Sequence, residues 1–235
     1  MCLYLPEVKW KNGHLLLILI PRDRFSLVAL SPTLRDQDAE PDLLADDVRR
    51  VLEAVGEVPA RVFGSSGGAV TGLALVTRYP DHVRTLIAHE PPVALLLPQA
   101  EKARAGIHEI YDCYRERGAG AAWGRFASFT GMSMRPQGDA EPQPPSGEAA
   151  ATSERFFAHG LLPIALYQPD WSALQTAPAR VIVAGGTTSR GEFAQRTAVA
   201  LAERLGTQLV EFPGGHGGFA SDPDDFADVL RHLLA

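Results

Sequence analysis

The chain predicts an α/β protein with a mostly parallel sheet and helices on both faces. Three observations carry this: short apolar strand-like runs alternate with amphipathic helical ones, glycine-rich turns follow the strands, and the 235 residues suffice for one sizeable core but are short for two. Strands packed on both faces by helices read as nearly continuous apolar runs, and the segments near 61–65, 83–89 and 179–184 have that character.

The amino-terminal part breaks the alternation. Residues 2–11, Asn12-Gly13 and residues 14–20 read as a hairpin, because Asn-Gly suits a two-residue turn between antiparallel strands. The apolar run 14–20 also has the look of a short signal-peptide core after Lys9 and Lys11, but no small-residue cleavage site follows closely, and a strand is the expectation. Only Pro21-Arg-Asp-Arg24 then precedes another strand, 25–30. A parallel crossover needs a dozen or more residues, so if these two strands are neighbours they must be antiparallel.

The next helix, 43–56, places Leu44, Val48, Val51, Leu52 and Val55 on one face and Asp46, Asp47, Arg49 and Arg50 on the other, a solvated surface. Residues 61–76, RVFGSSGGAVTGLALV, follow. Here a G-x-S-x-G motif, Gly64-Ser65-Ser66-Gly67-Gly68, stands between an apolar strand and an apolar helix. A sharp strand-to-helix turn forces its central residue into a strained backbone and exposes the side chain, while a Cβ two residues before or after would strike the neighbouring element. Ser66 is therefore the candidate nucleophile, and the Gly67 N–H a candidate oxyanion donor.

Downstream, 83–92 is a strand ending at the carboxylate Glu90, 179–186 is a buried strand, and 208–216 leads through Pro213-Gly-Gly to His216. Of the seven histidines, His216 is the best base, because flanking glycines let a loop bring an imidazole close to a nucleophile. His14 starts a strand, and His82, His108, His159 and His232 fall in helices or their caps; His89 adjoins a strand end and is harder to dismiss.

These residues and their order resemble the α/β-hydrolase superfamily from about residue 25 onward. The family order of nucleophile, acid and histidine is met by Ser66, Glu90 and His216. In most of the family the acid follows the strand that here ends at Ala184, yet the residues there are Gly185-Gly-Thr-Thr-Ser-Arg190, and a hydroxyl at Thr187 or Thr188 does not stabilise an imidazolium as a carboxylate does. Some branches, haloalkane dehalogenases among them, carry the acid one strand earlier, at a position similar to Glu90. Dehalogenation itself is not implied, since that nucleophile is an aspartate. Glu192 is the second candidate acid, with a solvated carboxylate facing a helix start as its plainer reading.

The resemblance also implies a His-Gly loop and a helix between the first strands, which this chain lacks. One βα unit is expected to be deleted or replaced. That loop supplies the second oxyanion N–H in the family; here Pro21 has none, leaving Arg22 or a residue near Ser31. Losing one donor costs about 10²–10³ in kcat, so a catalytically impaired protein binding a small apolar ligand is the alternative to an esterase-like serine hydrolase.

Between residues 93 and 170 helices replace the alternation, where the family inserts a cap; the core is then 1–92 and 171–235. Ile107, Ile110, Tyr111 and Tyr114 recur at helical spacing over 104–117, Trp123, Phe126 and Phe129 continue the face, and 152–167 forms a helix carrying Phe156, Phe157 and Leu161. Residues 135–149, rich in Pro, Gly and polar side chains, read as a loop. The aromatics are expected to pack the cap; any that face Ser66 would make an apolar pocket for an acyl or aromatic ester.

The net charge of −6 and the lack of a basic cluster argue against nucleic acid as a partner. Two cysteines without metal-ligand spacing fit a reducing, cytoplasmic setting. No phosphate loop, nucleotide fingerprint or metal cluster is present, no run approaches the roughly 20 apolar residues of a membrane span, and neither cofactor nor membrane is expected.

Overall fold

The computed structural model describes residues 15–19, 25–26, 38–56, 58–132 and 147–234. Among the described residues six strands form one sheet in the order β2-β1-β3-β4-β5-β6: β1 (Leu15–Leu19), β2 (Phe25–Ser26), β3 (Ala60–Ser65), β4 (Val83–His89), β5 (Arg180–Gly186) and β6 (Val210–Phe212). β3 to β6 are parallel throughout. β1 runs antiparallel to both neighbours, with Leu19 opposite Phe25 and Leu17 opposite Phe63. A link of five residues is too short for a parallel crossover, which agrees with the antiparallel pairing of β1 and β2. The first arm of the expected hairpin, residues 2–11, its Asn-Gly turn and His14 lie outside the described residues, as do 27–37, 133–146, Cys2, Arg22 and Ser31.

Alternation along the strands sends side chains to two apolar layers. Val62, Leu86, Ala88 and Val183 pack with α1 (Pro41–Val55), α2 (Gly67–Arg78) and α7 (Phe193–Leu205) on one side of the sheet. Phe63, Ile87, Ile182, Ala184 and Phe212 pack on the other with Phe226 and Leu230 of α9 (Pro223–Leu234). This is the period-two pattern of a sheet covered on both faces.

The helices start and stop on local chemistry. Pro41, whose missing N–H costs nothing in a first turn, opens α1, and Gly56 closes it at φ 74°, a conformation open to glycine. Asp170 caps α6 (Trp171–Thr176) by accepting from the N–H groups of Ser172 and Ala173, each at 3.0 Å.

Between β4 and β5 the chain is helical. α3 runs from Ala100 to Thr130 and bends at Gly118, whose φ is 77°, so the two apolar stretches read from sequence belong to one kinked helix. Instead of one continuous α-helix over 152–167 there are α4 (Glu148–Arg155), a wide π-type turn over Phe156–Gly160, and α5 (Leu161–Ala165). Pro163 is the physical reason: it cannot donate to the carbonyl of His159 and its ring crowds that carbonyl, so the chain widens there. The His159 carbonyl instead accepts the Ala39 N–H at 2.8 Å, and His159 Nδ1 pairs with Asp38 at 3.1 Å. Phe157, fully buried, is surrounded by Tyr114, Trp123, Phe126 and Phe156, with Trp123 stacked on Phe156 at 5.3 Å. These aromatics pack this layer on itself, as expected.

Candidate active site

The carboxyl ends of β3, β4 and β6 converge on one edge of the parallel sheet, and each delivers one of the residues singled out from sequence. Ser66 lies between the last residue of β3 and the first of α2, with φ 55° and ψ −124°, a conformation that L residues avoid. Its N–H bonds to the His89 carbonyl at 2.9 Å, and its own carbonyl accepts from Ala69 and Val70, so the turn is held from both sides. The glycine of the motif is required by contact: a Cβ at Gly64 would stand 2.4 Å from the Gly68 carbonyl oxygen. Gly67 is the first residue of α2, where a helix leaves N–H groups without intrahelical acceptors.

Glu90 directly follows β4. Among the described residues, Ser66 and Glu90 are the two non-glycine positions with positive φ, 55° and 48°. Backbone strain of about 1–3 kcal/mol each persists only where the surroundings enforce it, and such strain gathers at functional sites. The Glu90 N–H bonds to the Ala184 carbonyl at 2.9 Å, and the Pro91 carbonyl accepts the buried Thr197 hydroxyl at 2.7 Å.

The Glu90 side chain is fully buried and each oxygen has its own task. Oε2 meets His216 Nδ1 at 2.6 Å. Oε1 accepts the Gly186 N–H at 2.8 Å and the Ser189 hydroxyl. Burial alone would push this carboxyl up, but the His216 hydrogen bond and charge, helped by His89 and Ser189, hold it below the ordinary carboxylate range. It is therefore an anion, and His216 Nδ1 is the ring nitrogen that faces it.

The His216 loop is fastened to the loop after β5. Thr187 N–H bonds to the Phe212 carbonyl at 3.0 Å and Thr188 N–H to the Gly214 carbonyl at 2.9 Å. The two backbones approach so closely that a Cβ at Gly186 would lie 2.6 Å from the Gly215 Cα. His216 itself is partly exposed.

Ser189, buried and aimed at Glu90, was not singled out from sequence, where Thr187 and Thr188 drew attention; both threonines are exposed. The signal was there in principle: once the acid stands on β4, the place one strand later needs a donor to it. Glu192, the second candidate acid, is half-buried at the start of α7 without a capping bond from its side chain. Burial and then the Glu90 charge push its carboxyl up, with His216 opposing, so it stands within electrostatic reach of the pair; the Nδ1 bond nevertheless goes to Glu90. His82 pairs with Glu53 at 3.0 Å, and His108 and His232 lie on helices α3 and α9. Among the described residues no group of three or more His, Cys, Asp or Glu side chains is placed to hold a metal, and no helix is long and apolar enough to cross a membrane.

Known proteins resemble this chain in sequence and in fold. A hydrolase of Bacillus subtilis (strain 168) whose role is uncharacterized is 32% identical over 197 residues, 81% of this chain and 69% of the relative. The zearalenone hydrolase of Bionectria ochroleuca is 27% identical over 187 residues, 80% of this chain and 67% of the relative. A carboxylesterase structure from Nitrososphaera gargenis superposes with a TM-score of 0.59 at 15% identity, covering 89% of this chain and 78% of that one, a likeness of fold. The pattern of the alpha/beta hydrolase fold family matches residues 28–223, and with these relatives it makes the chain a member of the α/β-hydrolase family, a hydrolase.

Proposed function

We propose that the protein is a serine hydrolase of esterase-like activity, acting on a small apolar ester or related acyl substrate through Ser66, His216 and Glu90. The observation that carries this reading is the pairing of a strained Ser66 turn with a buried Glu90 carboxylate bonded to His216 Nδ1. Because Nδ1 is engaged by Glu90, the other ring nitrogen, Nε2, is the one left to serve the nucleophile.

In the proposed reaction Nε2 takes the Ser66 hydroxyl proton as the oxygen attacks the carbonyl, and the tetrahedral oxyanion is held by the Gly67 N–H. His216, now an imidazolium stabilised by Glu90, returns the proton to the leaving group. Water, deprotonated by the same nitrogen, then releases the acid from Ser66. The helices over 93–170 form the cap above this edge, and the core comprises 1–92 and 171–235. The acyl substrate class is supported by the kinship with hydrolases; a reducing, cytoplasmic setting is supported by Cys113, a buried free thiol.

The sequence carries no His-Gly loop of the kind that brings a second oxyanion donor in the family, and this favours the alternative of an impaired protein that binds an apolar ligand. One experiment separates the two. Labelling with a fluorophosphonate probe that is lost in both Ser66→Ala and His216→Ala supports the hydrolase; a parent chain that takes no label supports the binding protein.

A further inference from the structure

His89, the last residue of β4, is fully buried and has no place in the chemistry above. Its ring sits among Phe63, Phe212 and Phe226, with centroids 6.2, 5.7 and 5.5 Å away, and 6.5 Å from the ring of His216. Nε2 is buried and has no hydrogen-bond partner among the described residues. An apolar ring would fill such a box without leaving a polar atom unpaired, so the imidazole needs another reason to be there.

The reason lies at its other nitrogen. Ser65 and His89 are register partners across the parallel strands β3 and β4, and Nδ1 lies 3.2 Å from the Ser65 hydroxyl. The His89 carbonyl meanwhile takes the Ser66 N–H at 2.9 Å. One residue thus binds two consecutive serines, by ring and by backbone, while its own next neighbour in the chain is Glu90.

We propose that His89 is a positioning residue: its neutral ring and its carbonyl clamp Ser65 and Ser66, and so fix the strained turn opposite the Glu90–His216 pair. Burial keeps the ring neutral, lowering its pKa to about 4, with Glu90 opposing and His216 assisting. Among the described residues the charged or titratable groups that bear on it are those two; β3, β6 and α9 present Phe63, Phe212 and Phe226. Neutrality matters because His216 takes up a proton during turnover, and a second cation beside it would resist this.

The proposal rests on the serine-hydrolase reading, and the test separates the two. The rate of fluorophosphonate labelling and the thermal midpoint are measured for the parent, His89→Phe, His89→Asn and Ser65→Ala. His89→Phe keeps a ring in the box and removes Nδ1; His89→Asn restores a polar atom near the Nδ1 position. Labelling of His89→Phe and Ser65→Ala slowed by about 10- to 100-fold, with His89→Asn recovering most of the rate irrespective of its thermal midpoint, is the expected result. Parent-like labelling of Ser65→Ala together with His89→Phe overturns the clamp while leaving the hydrolase reading intact. If His89→Phe does not fold, Ser65→Ala alone decides, since it removes the same bond from the other side. No labelling of the parent overturns both readings, because no reactive serine is then being positioned.

Discussion

Glu90 Oε2 and His216 Nδ1 meet at 2.6 Å across 126 residues of chain, and the carboxylate is wholly inside the protein while the imidazole is partly exposed. In Glu90→Gln the bonded oxygen becomes part of an amide that no longer balances an imidazolium. kcat against a p-nitrophenyl ester is expected to drop by about 10⁴-fold. Glu192→Gln, which leaves that bond untouched, keeps kcat within a few-fold. A loss confined to Glu192→Gln would move the acid to α7.

Ser189 tests the support of that acid. In Ser189→Ala, Glu90 Oε1 keeps the Gly186 N–H and loses a buried hydroxyl donor. A hydrogen bond to a charged group contributes about 1.5–3 kcal/mol, so the urea midpoint should fall by a corresponding amount. Ser189→Thr, which retains the hydroxyl, should recover part of it. An unchanged midpoint in Ser189→Ala would show that the Gly186 N–H suffices.

The turn at Ser66 has no room for a side chain at Gly64. Gly64→Ala places a methyl 2.4 Å from a backbone oxygen, which cannot rotate away as a flexible side chain would. Destabilisation of about 3 kcal/mol or more is expected, together with loss of labelling at Ser66. A Gly64→Ala protein of parent-like stability and labelling rate would mean that the turn relaxes freely.

Acid should weaken the fold in a definite window. An unfolded chain protonates this histidine near its ordinary value of 6.5, whereas folded His89 waits until about 4. Between these values the unfolded state binds the extra proton, so stability falls as pH falls, by about 3 kcal/mol for this group. Glu90 adds a loss of the same sign at lower pH, since its folded carboxyl lies below its unfolded value. Glu192, raised on folding, works in the opposite sense. Urea midpoints at pH 7, 6, 5 and 4 should decline in the parent and decline less in His89→Phe; a flat parent profile would contradict this.

The aromatic layer between β4 and β5 offers a contrast. Phe157→Ala removes a fully buried ring among four others and should cost about 3–5 kcal/mol. If the layer only packs on itself, the rate of Ser66 labelling in the folded fraction stays near the parent's. A selective loss of labelling would instead place the ring in the substrate path.

Sequence made the candidate site residues more legible than the scaffold that holds them. Ser66 was readable because a strand-to-helix turn needs glycines at fixed offsets, and His216 because its flanking glycines mark a loop free to approach. Glu90 followed from family order and from the missing carboxylate after Ala184. Its positive φ was not visible, because that arises from bonds to β5 and α7 that only the assembled sheet supplies. Ser189 and the Ser65–His89 pair were hidden for the same reason: they depend on strand register, which no local pattern encodes. Link length required β1 and β2 to be antiparallel if they were neighbours, but neither their adjacency nor the pairing of β1 with β3 was readable. Gly118 and Pro163 were each present in the sequence as breakers, yet the first bent a helix that the pattern divided and the second widened one that the pattern kept whole.

Pro163 has a mechanical consequence. By vacating the His159 carbonyl it lets that oxygen hold the Ala39 amide, so one end of the helical layer is stitched to the lead-in of α1, and α1 packs beside α2, which begins just after Ser66. A displacement of this layer would therefore pull on residues 38–40 and, through α1, on the helix that follows Ser66.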